Sequence, residues 1–160
     1  METDVISVRN PIIADLEDII HLNRISLPEN YAVAYFIELI KTWNESSAVA
    51  LVNDKVVGYT IVRIEKSGIT PWRSRSKSKA HVISIAVSPD QRRHGIGNKM
   101  MEFVIDNIGE INGIKKITLE VRITNQAAIE MYKKLDFNIN KILTRYYSDG
   151  EDAYLMELLF

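Results

Sequence analysis

The residues whose types and spacing most suggest chemistry lie in one stretch, His81 to Asp106. There is no cysteine, which excludes thiolate nucleophiles, disulfides and thiolate metal sites and leaves any reaction to oxygen and nitrogen groups. The histidines are His21, His81 and His94; no His-x-x-x-His spacing occurs, and no metal site is expected. His81 opens the apolar run HVISIAV, which gives way at QRRHGIG (Gln91 to Gly97) to the helical pattern of NKMMEFVID. A strand that turns through glycine into a helix leaves the first helical N–H groups unpaired and facing the turn, where the helix dipole adds positive charge. That is the chemistry of an anion site. Gly95 and Gly97 let the backbone approach a pyrophosphate, and Arg92 and Arg93 add charge beside it. Taken alone, such a Gly-x-Gly also reads as a plain tight turn with two surface arginines. Two nucleotide-binding fingerprints fail on spacing: Met100 stands where a dinucleotide loop needs a third small residue, and the lysine and hydroxyl of a P-loop are not in place.

The elements that position this loop fit one domain. A chain of 160 residues, 46% of them hydrophobic, can bury one core and is short for two, so residues 1–160 are read as a single domain. A net charge of −1 argues against bulk nucleic-acid binding. The N-terminal stretch carries no secretory pattern, and no run reaches the roughly 18 apolar residues that span a bilayer; a soluble cytoplasmic protein without a membrane partner is expected.

Periodicity gives the order strand, two helices, three strands, helix, strand, helix, two strands. Ile6 to Arg9 reads as a strand, Asn10-Pro11 as a helix start, and Pro28 as the stop of a helix that runs to about Ser26. Phe36, Leu39, Ile40 and Trp43 mark a second helix. SAVALV and VVGYTIVRI read as a hairpin turning at Asn53-Asp54-Lys55. The stretch from Lys66 to Lys79 reads as a basic, mobile loop. Strands follow at His81–Val87 and Lys116–Arg122, with a helix carrying Ile96, Met100, Phe103 and Val104 between them. Asn125 caps a short fourth helix. FNINKILTRYY and AYLMELLF read as strands joined around Asp149-Gly150, both residues being suited to positive φ. Helices interleaved with a mixed sheet place the chain in α/β or α+β.

Arg92, Gly95 and Gly97 also satisfy Arg/Gln-x-x-Gly-x-Gly/Ala after a Val-Ser-Pro turn, which resembles the acetyl-coenzyme A loop of the GNAT acetyltransferase superfamily. The resemblance takes in VVGY, the ISIAV strand, TNQAAIEMYKKLDF (Thr124 to Phe137) and RYYSDGEDAYLMELL, and so nearly the whole chain. One position departs from the pattern: Asp136 stands where the superfamily usually has glycine, which leaves the local turn geometry open. The GNAT fold it implies is a mixed, mostly antiparallel, twisted sheet flanked by about four helices.

Two further stretches, LPENY (Leu27 to Tyr31) and RYYSDGEDAY (Arg145 to Tyr154), resemble the catalytic subunits of protein N-terminal acetyltransferases, including the major ribosome-associated enzyme and archaeal relatives. The resemblance implies acetyl-coenzyme A as cofactor and protein or nascent-peptide N-termini as acceptors, with possible ribosome or auxiliary-subunit docking. It implies that Leu27, Pro28, Glu29, Tyr31, Tyr146 and Tyr147 line the acceptor, and that Asn125 and Tyr132 approach the pantetheine and sulfur, with the Tyr132 hydroxyl able to protonate the thiolate. It assigns the cofactor to Ile85, Ala86 and Val87 and to the loop Arg92, Arg93, His94, Gly95, Ile96, Gly97 and Asn98. Read only as residues, Tyr146 and Tyr147 are also ordinary strand residues, Leu27-Pro28 an ordinary helix stop and Tyr132 ordinary core.

Attack on a thioester needs a neutral amine, and an α-amine (reference pKa ~7.7–8.0) loses its proton more easily than a lysine (~10.4). Glu29 is the leading candidate base, directly or through a water. His81 matches a base-like histidine of relatives and reads equally as a strand-edge histidine. A lysine or ribosomal-protein acetyltransferase is the alternative within the class. Outside it stands an RNA- or partner-binding module using residues 66–79, where Trp72 among Arg73, Arg75 and Lys77 could stack a base.

Overall fold

The computed structural model describes residues 4–66 and 78–160. Its elements are β1 (Ile6–Arg9), α1 (Leu16–Ser26), α2 (Val33–Trp43), β2 (Ala48–Val52), β3 (Lys55–Glu65), β4 (Ser78–Val87), α3 (Ile96–Gly109), β5 (Ile114–Arg122), α4 (Gln126–Lys134), β6 (Asn138–Leu143) and β7 (Ala153–Leu159). This is the order read from periodicity. The strand order is β1-β2-β3-β4-β5-β7-β6; the pairs β1/β2, β2/β3, β5/β7 and β6/β7 are antiparallel and β4/β5 is parallel. The expected mixed, mostly antiparallel sheet with four α-helices is therefore present. Among the described residues no helix is long and apolar enough to cross a membrane. The basic stretch from Lys66 to Lys79 lies largely outside the described residues.

Two compact units divide the chain: Met1–Arg63 with Ile83–Glu110, and Ile64–Val82 with Ile111–Phe160. In the first, all five residues of β2 are buried, the pattern of a strand covered on both faces. Ile19, Leu22, Phe36, Leu39 and Ile40 of α1 and α2 pack with Val49, Leu51, Tyr59 and Ile61, while α3 packs against β1 and β2. Gly58 serves this packing. A Cβ there would stand 3.0 Å from Met100 Cε and 3.2 Å from the Ala86 carbonyl oxygen. The hairpin turns at Asn53 (φ 48°) and Asp54 (φ 65°), two left-handed residues as a tight β-hairpin requires. Asn10 does not cap α1. Its amide donates to the carbonyls of Asn44, Glu45 and Ser47, and the helix begins only at Leu16, after a short 3-10 turn at Ile13–Asp15.

In the second unit, Asn125 caps α4 as expected, its side-chain oxygen accepting from the Ala128 N–H at 3.3 Å. Asp136 takes φ 68°, the conformation glycine would supply, and Phe137 N–H donates to the Tyr132 carbonyl at 3.0 Å. That bond closes the helix as a Schellman motif, with buried Phe137 as its apolar anchor. The turn geometry survives the replacement because aspartate tolerates the left-handed region better than most residues. The final hairpin differs from its expectation. β6 ends at Leu143 and β7 begins at Ala153, and Gly150 (φ 89°), not Asp149, has positive φ. Tyr146 and Tyr147 lie in a connecting loop rather than on a strand. On the outer strand β6, the register with β7 shifts between Ile139 and Lys141, leaving Asn140 as an extra residue.

Candidate active site

The first unit holds the anion loop. Gly95, at φ 75° and ψ 12°, is the N-cap of α3, and no side chain caps that helix end. A Cβ on Gly95 would meet nothing within 4 Å, so space lies open beside it. Lys99 N–H donates to the Gly95 carbonyl at 3.0 Å and opens the helical ladder, leaving the first-turn N–H groups at Ile96, Gly97 and Asn98 without intrahelical partners. Arg93, at φ 65°, adds a second left-handed residue that no sequence signal announced. Arg92, Arg93, His94 and Gly95 are exposed, whereas Ile96 is buried and anchors the helix. A fourteen-residue helix with an uncapped, glycine-led N-terminus that follows two exposed arginines is suited to a pyrophosphate.

The strand leading to this loop offers backbone groups. Ser88 N–H donates to the Val57 carbonyl in β3 at 2.7 Å, and alternation then turns the backbone groups of Val87 and Ile85 to the other edge. On that edge the Val87 carbonyl accepts from Arg92 Nε at 3.1 Å, which holds the arginine at the mouth of the loop. Ala86, buried, faces its backbone the opposite way.

The same unit holds the LPENY stretch between α1 and α2. Leu27 packs against the apolar core, Pro28 is exposed, Glu29 is half-buried and Tyr31 is 37% exposed. The Tyr31 hydroxyl donates to the Ile83 carbonyl of β4 at 3.3 Å, and its ring meets Phe36 edge-on, with centroids 5.9 Å apart. Leu27, Glu29 and Tyr31 thus share a unit with the anion loop. His21 is exposed on α1.

The second unit holds the remaining candidates. His81 is fixed between two carboxylates, Nδ1 at 2.9 Å from Glu65 Oε1 and Nε2 at 2.7 Å from Glu120 Oε2; Lys79 Nζ lies 3.4 Å from the other Glu65 oxygen. Burial of the ring opposes its charge, but the hydrogen bonds and charges of Glu120 and Glu65 outweigh it and raise the pKa above the usual histidine value. The imidazolium can donate to both partners, so the proton is held firmly. Glu65 and Glu120 carried no motif in the sequence; they lie 16 and 39 residues from His81, and only strand pairing brings them together.

Tyr132 sits on α4, 4% exposed, its ring 5.7 Å from that of Phe137. Burial raises its pKa. Such a phenol keeps its proton and can offer it to an anion. Tyr146 and Tyr147 meet edge-on at 5.0 Å, and the Arg122 guanidinium stacks 4.0 Å over the Tyr147 ring. Arg122 Nη1 also donates to Asp149 at 2.8 Å and to Glu151 at 2.7 Å, and Glu151 accepts from the Thr124 hydroxyl. The acidic residues after the tyrosines are thus the fastening of their loop. Among the described residues no group of three or more acidic or histidine side chains is placed to hold a metal ion.

The sequence profile of the acetyltransferase (GNAT) family matches residues 16–137. An N-alpha-acetyltransferase of Sulfurisphaera tokodaii is 42% identical over 151 residues, covering 93% of this chain and 90% of the relative. Among solved structures, Ard1 from Thermoplasma volcanium matches with a TM-score of 0.81 and 31% identity over 96% of this chain and 97% of that one. Arabidopsis thaliana Naa50, in complex with the bisubstrate analogue CoA-Ac-MVNAL, matches with a TM-score of 0.83 and 26% identity over 97% and 99% of the two chains.

Proposed function

Because this chain belongs to the GNAT family of acetyltransferases, we propose that it transfers acetyl from acetyl-coenzyme A to the α-amino group of protein N-termini. The observation that carries the cofactor side is the uncapped N-terminus of α3 at Gly95, open to solvent and flanked by Arg92 and Arg93. On the acceptor side, the reading rests on the LPENY loop and on relatives named as N-alpha-acetyltransferases. The family match runs from 16 to 137, through parts of both units, which favours one catalytic domain.

Acetyl-coenzyme A brings the acetyl group already activated as a thioester. The backbone of Arg92, Arg93, His94, Gly95, Ile96, Gly97 and Asn98, with the two guanidinium groups, is assigned to the pyrophosphate. The backbone of Ile85 and Val87 is assigned to the pantetheine arm and the carbonyl, an electrostatic role that asks nothing of the side chains; Ala86, expected beside them, turns its own backbone toward β3 and is left out of that assignment. Asn125 and Tyr132 are assigned to the sulfur end. A phenol above its usual pKa holds its proton more tightly than a thiol does, so Tyr132 acts chiefly as a hydrogen-bond donor to developing thiolate.

Leu27, Pro28, Glu29 and Tyr31 are assigned to the first residue of the acceptor, and Tyr146 and Tyr147 to its backbone. Glu29 takes the amine proton, directly or through a water. His81 is the weaker candidate for that task, since a ring that donates to Glu65 and Glu120 must first give up a proton. Acceptors with small first residues exposed by methionine removal are the expected class, with acidic or methionine starts admitted beside Glu29. A cytoplasmic place of work and an auxiliary subunit belong to the same reading.

Mass spectrometry of a peptide panel tests it, each first residue represented and half the peptides N-terminally blocked but carrying an internal lysine. Acetyl on free N-termini alone is the expected result. Acetyl on the lysines of blocked peptides, or on nothing, overturns the α-amine assignment in favour of a lysine or another acceptor.

A further inference from the structure

Asn23 lies on the inner face of α1 and is 1% exposed. An amide so buried must find partners for both of its N–H groups or lose stability. One goes to the Glu29 carbonyl at 3.2 Å, the other to the Tyr59 hydroxyl at 3.1 Å. Tyr59, on β3, is wholly buried, and its hydroxyl lies 2.7 Å from the Ser84 hydroxyl on β4. Burial raises the pKa of Tyr59 against its hydrogen bonds to Ser84 and Asn23, so the phenol stays neutral and each link is a bond between uncharged groups. Four groups therefore form one line through the core: the Glu29 carbonyl, Asn23, Tyr59 and Ser84.

Apolar side chains could fill the same space without polar groups to satisfy. What the polar line adds is a fixed position for its outer end, and that end is the backbone of Glu29. Two residues on, the Tyr31 hydroxyl is fastened to the Ile83 carbonyl, the residue before Ser84. The rings of Tyr31, Phe36 and Tyr59 continue the fastening through edge-on contacts at 5.9 and 6.2 Å. The segment Glu29–Tyr31 is thus held twice to neighbouring residues of β4, once through the core and once at the surface.

We propose that Asn23, Tyr59 and Ser84 are positioning residues that hold the Glu29–Tyr31 backbone in place for the incoming amine, setting the use of the peptide and not of the cofactor. The proposal rests on the assignment of Glu29 and Tyr31 to the acceptor. None of the three side chains needs to touch a substrate. A loop held from within before the peptide arrives loses less freedom on binding and keeps a proton acceptor within reach of the reacting nitrogen.

The test uses Tyr59→Phe, which removes one hydroxyl and keeps the ring, and Ser84→Ala, which removes the last link. Thr60→Val is the control: Thr60 is equally buried on the same strand, with its hydroxyl toward Met101 Sδ at 3.9 Å. Steady-state kinetics with free-N-terminus peptides are read beside amide hydrogen exchange of residues 27–32. Tyr59→Phe is expected to lower peptide kcat/KM by ~10-fold or more with the KM for acetyl-coenzyme A within about twofold, and to speed exchange in residues 27–32. Ser84→Ala is expected to do the same to a smaller degree. Thr60→Val should lower thermal stability and move neither readout. Unchanged peptide kinetics in a folded Tyr59→Phe protein, or losses no different from those of Thr60→Val, overturn the proposal. If Tyr59→Phe fails to fold, Ser84→Ala decides alone. If the wild type acetylates no α-amine, the assignment of function falls, and exchange in residues 27–32, which needs no substrate, still decides whether the line holds the loop.

Discussion

The two stretches assigned to the acceptor peptide are held by opposite physics. The Leu27–Tyr31 loop is fastened through uncharged, buried groups, Asn23, Tyr59 and Ser84. The Tyr146–Tyr147 loop is fastened near the surface by charge: Arg122 binds Asp149 and Glu151 and stacks on Tyr147, and Asp152 accepts from the Arg145 N–H at 2.8 Å. Neutral bonds inside a core ignore salt and pH, but cutting one leaves a partner stranded. Exposed ion pairs are screened by salt and lost when their carboxylates protonate. The contrast matches the work assigned to each loop. A group that takes a proton needs a constant position, whereas tyrosines that grip backbones of many sequences can tolerate some play.

The largest effect is expected at Glu29. Glu29→Gln should lower kcat by about 10²–10⁴-fold, the usual range for a general base, with acetyl-coenzyme A affinity unchanged in isothermal titration; kinetics within tenfold of wild type would move the base role elsewhere. Next comes Asn23→Ala, which strands the Glu29 carbonyl and the Tyr59 hydroxyl. It should cost about 1–3 kcal/mol in urea unfolding and, unlike changes in the charged loop, keep the same kinetic deficit between low and high salt.

The charges of the second unit are only partly buried, and they respond to pH and salt. The folded pKa of His81 is raised, so its stabilising contribution is complete below the unfolded value of ~6.5 and is lost as pH rises through the folded value. The urea midpoint of the wild type should therefore fall across that window, and His81→Gln should flatten the decline. The smallest effect is expected at Arg122. Arg122→Ala should raise peptide KM by roughly two- to fivefold, the worth of an exposed cation–π contact, and high salt should impose part of that loss on the wild type. At acid pH the same loss should appear as the carboxyls of Asp149 and Glu151 protonate. Both sit below their usual range, held there by the Glu151 N–H and Arg122 for the first and by the Thr124 hydroxyl and Arg122 for the second.

What could be read from the sequence was local. The glycine loop, the cap at Asn125 and the element order all depend on residues within a turn or two of one another, and the structure has them as expected. What escaped was pairing at a distance. Glu65 and Glu120 become partners of His81 only through strand neighbours, and Asn23 looked like any polar residue on a helix until Tyr59, 36 residues on, was packed against it. The loop of Tyr146 and Tyr147 was misread for a related reason. YYSDGED carries a turn signal at Asp149-Gly150, but Arg122, 27 residues before Asp149, draws the acids into a longer loop. Asp136 shows the limit from the other side: a residue departed from its pattern while the backbone kept the left-handed conformation.

At the rim of the sheet, the extra residue at Asn140 has a consequence for the protein in concentrated solution. An outermost strand is an open template on which another chain can add a strand. Here Ile139 and Ile142 are 40% and 57% exposed, enough to make a flat edge adhesive. The bulge interrupts that edge after Ile139, the Asn140 amide donates inward to Glu157 at 3.0 Å, and Lys141 sets a charge beside the break. Strand addition would have to bridge a kink and desolvate an ammonium, so a single surplus asparagine helps keep the chains from polymerising edge to edge.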